Sequence, residues 1–338
     1  MPAKRALITG VTGQDGSYLS EFLLGKGYEV AGFLRSSSTG YMGNVEHLRG
    51  EMRFYRGSLD DDKSIETAIM DFAPDEIYNL GAEAAPAESF KRRVYTSDIN
   101  ALGPLRVFEA ALKLRNSGKD VRIYQASSSE MFGAPTEVPQ TERTLLRPNN
   151  PYGAAKVLAH HNAHILRDGA EQMFISCGIL FNHESPRRGM QYVTRKVTVG
   201  VACIANKVKN PPLNELGRPI VANGKLDMGN MDAKRDWGYS KEYVQAMWMM
   251  LQQDKADDFV IATGETHSVE ELCEAAFQKA GLDWHDHVVV NKDLVRPLET
   301  GPLCGNPAKA ERVLGWKPQV RFKELIGLMV EADLEIFS

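Results

Sequence analysis

The stretch RALITGVTGQDGSYLSEFLLG, residues 5–25, constrains the fold more than any other. A short apolar run ends in Gly10, Gly13 and Gly16, and a helix-period pattern from about Ser17 to Gly25 follows at once. Glycines at that junction allow a tight strand-to-helix turn, which is how a parallel βαβ unit begins. A chain that starts this way needs further parallel strands to cover the first one.

The sequence supplies them. YEVAGFLR reads as a second strand, and MRFY, EIYNLGA, VRIYQAS and FISCGILF read as later ones. Amphipathic stretches such as DDKSIETAIMDF and YTSDINALGPLRVFEAALKL separate them. Strands alternating with helix-length segments imply an α/β, Rossmann-type doubly wound parallel sheet. Beyond Asn182 the rhythm weakens. YVTRKVTVGVACIANKV is a basic helix candidate, and Ser268 with Glu271 reads as a capping box opening another helix. The division expected is a Rossmann domain over 1–182, with a return segment at about 231–264. A smaller C-terminal α/β substrate-binding lobe is expected from 183–230 and 265–338.

At 338 residues the chain is long enough for a large domain with a smaller partner. A net charge of −4 gives no reason to expect nucleic acid or an anionic membrane as partner. No apolar run approaches the ~20 residues that span a bilayer, and no signal-peptide core precedes the first strand. Cys177, Cys203, Cys273 and Cys304 show no paired spacing, as expected of reduced thiols in a cytoplasmic protein, and no metal site is expected.

The glycine turn lets backbone N–H groups approach a pyrophosphate at a helix N-terminus, where the helix dipole favours anions. At the end of the second strand an acidic residue would bond a ribose 2′-hydroxyl and repel a 2′-phosphate. GFLRSSSTG offers Arg35 and Ser36 to Ser38 instead, so NADP is expected rather than NAD.

Tyr152 and Lys156 stand four apart in YGAAKVLAHHNAHIL, on one face of a helix. A lysine ammonium beside the phenol, together with the charge of an oxidised nicotinamide, favours phenolate and makes Tyr152 a usable base. Ser128, at the end of the fifth strand, can bond the same substrate oxygen. Coupled to the glycine turn, this set resembles the extended short-chain dehydrogenase/reductase superfamily over essentially the full length.

Glu130, two residues beyond Ser128, separates reactions within that resemblance. A 4-epimerase of the superfamily needs no further acid or base, whereas a 4,6-dehydratase must remove the C5 proton and expel the C6 hydroxyl. Longer stretches narrow it further. GILFNHESPRRG (178–189), YVTRKV (192–197), GNMDAKRDWGYSKEYVQAMWMMLQQD (229–254), FVIATGETHSVEE and GNPAKAERVLGWKP closely resemble the GDP-mannose 4,6-dehydratase family. The resemblance implies a lyase with Ser128, Glu130, Tyr152 and Lys156 as the catalytic set. It implies a cofactor site lined by Gly10, Thr12, Gly13, Gln14, Asp15, Gly16, Arg35, Ser36, Leu59, Leu80 and Ala82, with Tyr152 and Lys156. Ala84, Asn182 and Arg188 would meet the nucleotide-sugar, Val193 and Lys196 the guanine, Arg235 and Arg296 the pyrophosphate, and Glu299 the ribose. It also implies a homodimer or homotetramer.

Several positions depart from the family pattern. AEAAPAESF (82–90) stands where family members usually read Ala-Gln-Ser-His-Val, which puts Ala84, Ala85 and Pro86 at the Ser, His and Val positions. Ser58 replaces an aspartate, Ser128 a threonine and Asn44 an arginine. The stretch from Asn206 to Met228 is longer than usual, and RPLETGPLCGN differs from Arg-Pro-x-Glu-Val-Asp. The expected substrate is GDP-mannose. The alternatives are GDP-D-glycero-D-manno-heptose, because two methyls widen a hexose pocket, and more remotely a UDP-glucuronate decarboxylase-like reaction. A catalytically silent NADP-binding protein is the remaining reading, and it has no physical need for all four catalytic residues.

Overall fold

The computed structural model describes residues 2–35, 40–214, 217–294 and 302–338. The chain opens with β1 (Arg5–Thr9), α1 (Gln14–Gly25), β2 (Glu29–Leu34) and β3 (Arg53–Arg56). Next come α2 (Asp62–Phe72), β4 (Glu76–Asn79), α3 (Pro86–Ser89), α4 (Arg93–Ser97), α5 (Gly103–Asn116) and β5 (Arg122–Ser128). After α6 (Pro151–Asp168), β6 (Phe174–Leu180) and β7 (Asn182–Glu184) lie α7 (Val193–Ala205), β8 (Val221–Ala222) and β9 (Lys225–Met228). Then follow β10 (Lys234–Arg235), β11 (Trp237–Tyr239), α8 (Ser240–Leu251), β12 (Asp258–Ile261) and β13 (His267–Ser268). The chain closes with α9 (Val269–Lys279), β14 (Val288–Val290), α10 (Ala308–Leu314) and α11 (Phe322–Ile336).

Seven strands form one sheet in the order β12-β6-β5-β4-β1-β2-β3, parallel throughout. The fold is the α/β, Rossmann-type doubly wound sheet that the alternation implies. Both faces are covered, which the residues of β1 show directly. Ala6 and Ile8 pack with α1 and α8, while Leu7 packs with α2 and α5 on the other face. Truncating a fully buried leucine such as Leu7 costs ~2–5 kcal/mol, because the site cannot collapse around the hole.

A third apolar cluster joins α7, β9, α9 and α11 through Val197, Leu226, Leu272 and Ile326. The stretch 206–228 holds β8 and β9, and β14 extends that small sheet. The segment of Ala310, Leu314 and Trp316 packs with the first cluster. A small fourth cluster, with Met131, Phe181, Val260 and Leu303, sits at the carboxyl ends of the central strands. In a doubly wound sheet this is the end where ligands bind. Among the described residues no helix is long and apolar enough to cross a membrane, and the four cysteines are free thiols.

Candidate active site

The turn after β1 is closed too tightly for any other residue. Gly10 has φ +68°, and a Cβ on Gly16 would stand 2.5 Å from the Gly10 carbonyl oxygen. Gly13 caps α1 without a side-chain hydrogen bond, so the first N–H groups of the helix are left for an anion. A cleft of about 400 Å³ opens there. Gly10, Thr12, Gly13, Gln14, Asp15, Gly16, Arg35, Leu59, Leu80, Ala82 and Ala84 line it, with Asn44 and Ser58. Ser36 lies outside the described residues, as do Arg296 and Glu299.

A second recess of about 150 Å³ shares Asp15, Leu80, Ala82, Ala84, Arg188 and Tyr192 with the first. Ser128, Glu130, Tyr152, Lys156 and Asn182 meet in it. A third, of about 170 Å³, shares Glu130, Asn182 and Tyr192 with the second and runs on to Val193, Lys196 and Arg235. Three recesses therefore stand in a row, and all four candidate catalytic side chains occupy the middle one. Ala84 and Pro86 border that middle recess; Ala85 caps α3 instead and is outside the lining.

Local structure explains the placing. β5 ends at Ser128, whose Oγ accepts from the Glu130 N–H at 3.2 Å and caps a short 3₁₀ turn. Asn150 caps α6 by accepting from the Gly153 N–H at 2.8 Å, and Pro151 occupies the first helical position. The same Asn150 donates from Nδ2 to Glu130 Oε2 at 2.8 Å. A Cβ on Gly153 would lie 2.5 Å from the Glu130 carbonyl oxygen, so the start of α6 touches the Glu130 turn. Lys156 Nζ donates to the Ala126 carbonyl at 2.9 Å and lies 5.8 Å from the Tyr152 ring centre.

The electrostatics are set by burial. Removal from water brings Lys156 down to about 8, still cationic at neutral pH. Burial pushes the Tyr152 phenol well above its ordinary value, opposed by the neighbouring Ser128 hydroxyl and by Arg188. Added positive charge is therefore what would turn this phenol into a base.

Two neighbours were not singled out from the sequence. Tyr192 borders all three recesses, donates to the Ala84 carbonyl at 2.8 Å, and carries Arg188 at 3.6 Å from its ring centre. Buried Glu184 pairs with Arg188 at 3.1 Å and accepts from Thr194 at 2.5 Å. Asn150 had a readable signal: an asparagine before the proline that opens a helix.

A family model described as GDP-mannose 4,6 dehydratase matches residues 7–329. GDP-mannose 4,6 dehydratase 2 of Arabidopsis thaliana is 46% identical over 345 residues, covering 99% of this chain and 88% of that protein. GDP-mannose 4,6 dehydratase of Homo sapiens is 44% identical over 360 residues, covering 99% and 92%. Among solved structures, the Thermus thermophilus UDP-glucose 4-epimerase in complex with NAD superposes with a TM-score of 0.81, at 24% identity over 97% and 98% of the two chains.

Proposed function

Starting from the fact that the chain belongs to the GDP-mannose 4,6-dehydratase family, we propose that it is an NADP-dependent hydro-lyase. Its substrate is GDP-mannose and its product the GDP-4-keto-6-deoxy sugar. The observation that carries this reading is the middle recess, where Ser128, Glu130, Tyr152 and Lys156 converge between a dinucleotide-shaped cleft and a second polar cleft.

The glycine turn fits a dinucleotide, since its backbone closes tightly and leaves the α1 N–H groups uncapped. Gly10, Gly13 and Gly16 would hold the pyrophosphate, and Arg35 the 2′-phosphate. When bound, the nicotinamide supplies the acceptor for a hydride from C4 and the donor that returns it to C6. Tyr152 takes the proton of the 4-hydroxyl, Ser128 holds that oxygen, and Lys156 stabilises the phenolate. Glu130 takes the C5 proton, acidified by the C4 ketone, and delivers it to the departing C6 hydroxyl as water. The proton held by Tyr152 returns to C5, so the net change is loss of one water. In the third recess Asn182, Val193, Lys196 and Arg235 would face the nucleotide, while Arg188 stands between the first two recesses. The family resemblance also gives Arg296 and Glu299 roles in holding it.

The heptose substrate weighed from Ala84 and Ala85 is not favoured, because relatives matching nearly the full length carry the GDP-mannose name. Those names also disfavour a decarboxylase. Assembly into a homo-oligomer is supported by Val94, Leu158 and Ile165, exposed on the packed helices α4 and α6. Incubation with GDP-mannose, followed by mass spectrometry for loss of one water, tests the reading. Glu130→Gln should lower kcat by ~10²–10⁴ with KM little changed. A variant turning over at the wild-type rate would remove Glu130 from the mechanism.

A further inference from the structure

Where the catalytic helix packs on the edge of the sheet, four donor side chains from three elements meet outside the three recesses. His160 and His164 stand on one face of α6, Cys177 lies in β6, and Asp258 opens β12 directly beside it in register. Their ligating atoms all lie within 4.8 Å of one another, and among the described residues they form the one such cluster found. The sequence shows no metal-binding spacing because Cys177 and Asp258 are far apart along the chain.

We propose that His160, His164, Cys177 and Asp258 bind one divalent ion of the zinc type. Two imidazoles, a thiolate and a carboxylate suit Zn²⁺ or Co²⁺, whereas Mg²⁺ and Ca²⁺ prefer all-oxygen shells. A tetrahedral ion with bonds of ~2.0–2.3 Å holds its donors ~3.3–3.8 Å apart. Here Asp258 Oδ2 is 2.7 Å from His164 Nε2 and 3.8 Å from His160 Nε2. On binding, the His164–Asp258 hydrogen bond would be replaced by two bonds to the ion. Cys177 ligates as thiolate, and its proton passes to water.

The surroundings orient the ligands as a metal shell requires. Ser127 Oγ lies 2.9 Å from His160 Nδ1, which leaves Nε2 facing the cluster. Arg167 donates to Asp258 Oδ1 at 2.7 Å and leaves Oδ2 for the ion. A plain ion-pair network of Arg167, Asp258 and His164 needs neither His160 nor the fully buried Cys177 aimed at the same point. The side chain of His164 is 30% exposed and gives the ion a way in from water. Four protein ligands leave no position open for substrate, so the ion is structural. It would clamp α6, one turn beyond Lys156, to the β6–β12 edge of the sheet.

The test is titration of chelator-treated full-length protein with Co²⁺. One ion per chain should bind, giving intense tetrahedral d–d bands and a thiolate-to-cobalt charge-transfer band in the near ultraviolet. Cys177→Ser should abolish the charge-transfer band, and His164→Gln should weaken binding about ten-fold or more. Because His164 is partly exposed, its variant keeps the test available even if the Cys177 variant fails to fold. No spectral change in the wild type overturns the proposal. So do bands that persist unchanged in His164→Gln, which would place the ion elsewhere.

Discussion

Asp15 Oδ2, in the first turn of α1, lies 2.8 Å from His183 Nε2 in β7. His183 Nδ1 faces the Phe181 carbonyl at 2.7 Å, and Ser240 at the start of α8 donates to Asp15 Oδ1 at 2.7 Å. One contact thus fastens the dinucleotide turn, the segment carrying Asn182 and Arg188, and the helix α8. Neither cleft can move far without the other.

That pair carries a pH signature. Burial alone would raise the Asp15 carboxyl, but the His183 charge and hydrogen bond win and hold it at about 2. Burial alone would lower His183, and Asp15 reverses that and raises it. The Asp15 contribution is present above 3.8 and is lost as pH falls through about 2. The His183 contribution is present below 6.5 and is lost as pH rises through its raised value. His183→Gln should therefore destabilise most between 3.8 and 6.5, with the gap from wild type shrinking as pH rises through the raised His183 value and again near pH 2. Urea unfolding across pH measures it, and a gap that stays flat would mean the pair is held by shape alone.

Asn150 does two jobs that substitution can separate. Asn150→Ala removes the α6 cap, worth ~1 kcal/mol, and also frees the Glu130 carboxylate. Asn150→Ser keeps a capping oxygen but cannot reach Glu130. The serine variant should recover most of the stability while its kcat remains down about ten-fold, with KM for the nucleotide-sugar little moved. Equal recovery of stability and rate would show that Asn150 serves only the helix.

Lys156 illustrates function set against stability. Its charge is disfavoured by burial, with a value of about 8 against 10.5 in water. Between those values the unfolded chain binds more protons, so stability rises with pH across that window. Lys156→Met removes the cost of burying the charge. At pH 7 it should unfold at higher denaturant, by about 1–3 kcal/mol on the scale of ~1.4 kcal/mol per unit, while activity falls at least about 100-fold. The stability gap should close above 10.5. A less stable variant at pH 7 would show that the Lys156–Ala126 hydrogen bond outweighs the burial cost.

The sheet was legible because both its signals are local: apolar runs of strand length and glycines at the first turn. The helix that begins at Gln14 rather than near Ser17 shows the limit, since Gln14 and Asp15 are polar residues held by tertiary partners, His183 and Ser240. The meeting of Ser128, Glu130, Tyr152 and Lys156 in one recess was legible because Tyr152 and Lys156 share a helix face and Ser128 and Glu130 share one turn. The places of Tyr192 and Glu184 were not, since they depend on β7 and α7 converging on the turn that carries Glu130. The His160 cluster escaped for the same reason, its donors being close only after β12 pairs with β6.

Arg35 is the residue at which the proposed preference between the two nicotinamide dinucleotides can be tested. It follows β2, lines the dinucleotide cleft, and among the described residues its side chain has only a long 3.5 Å hydrogen-bond contact, to the Tyr95 hydroxyl. With no acidic residue in GFLRSSSTG, nothing there repels a 2′-phosphate. A charge-assisted contact to phosphate is worth ~1.5–3 kcal/mol, so Arg35→Ala should weaken NADP binding about 10- to 100-fold. NAD, lacking the phosphate, should lose no more than about two-fold. Calorimetric titration of both dinucleotides into both proteins makes the comparison. Parallel losses for NADP and NAD would mean that Arg35 shapes the cleft without reading the phosphate, and the preference for NADP would then have no support from this residue.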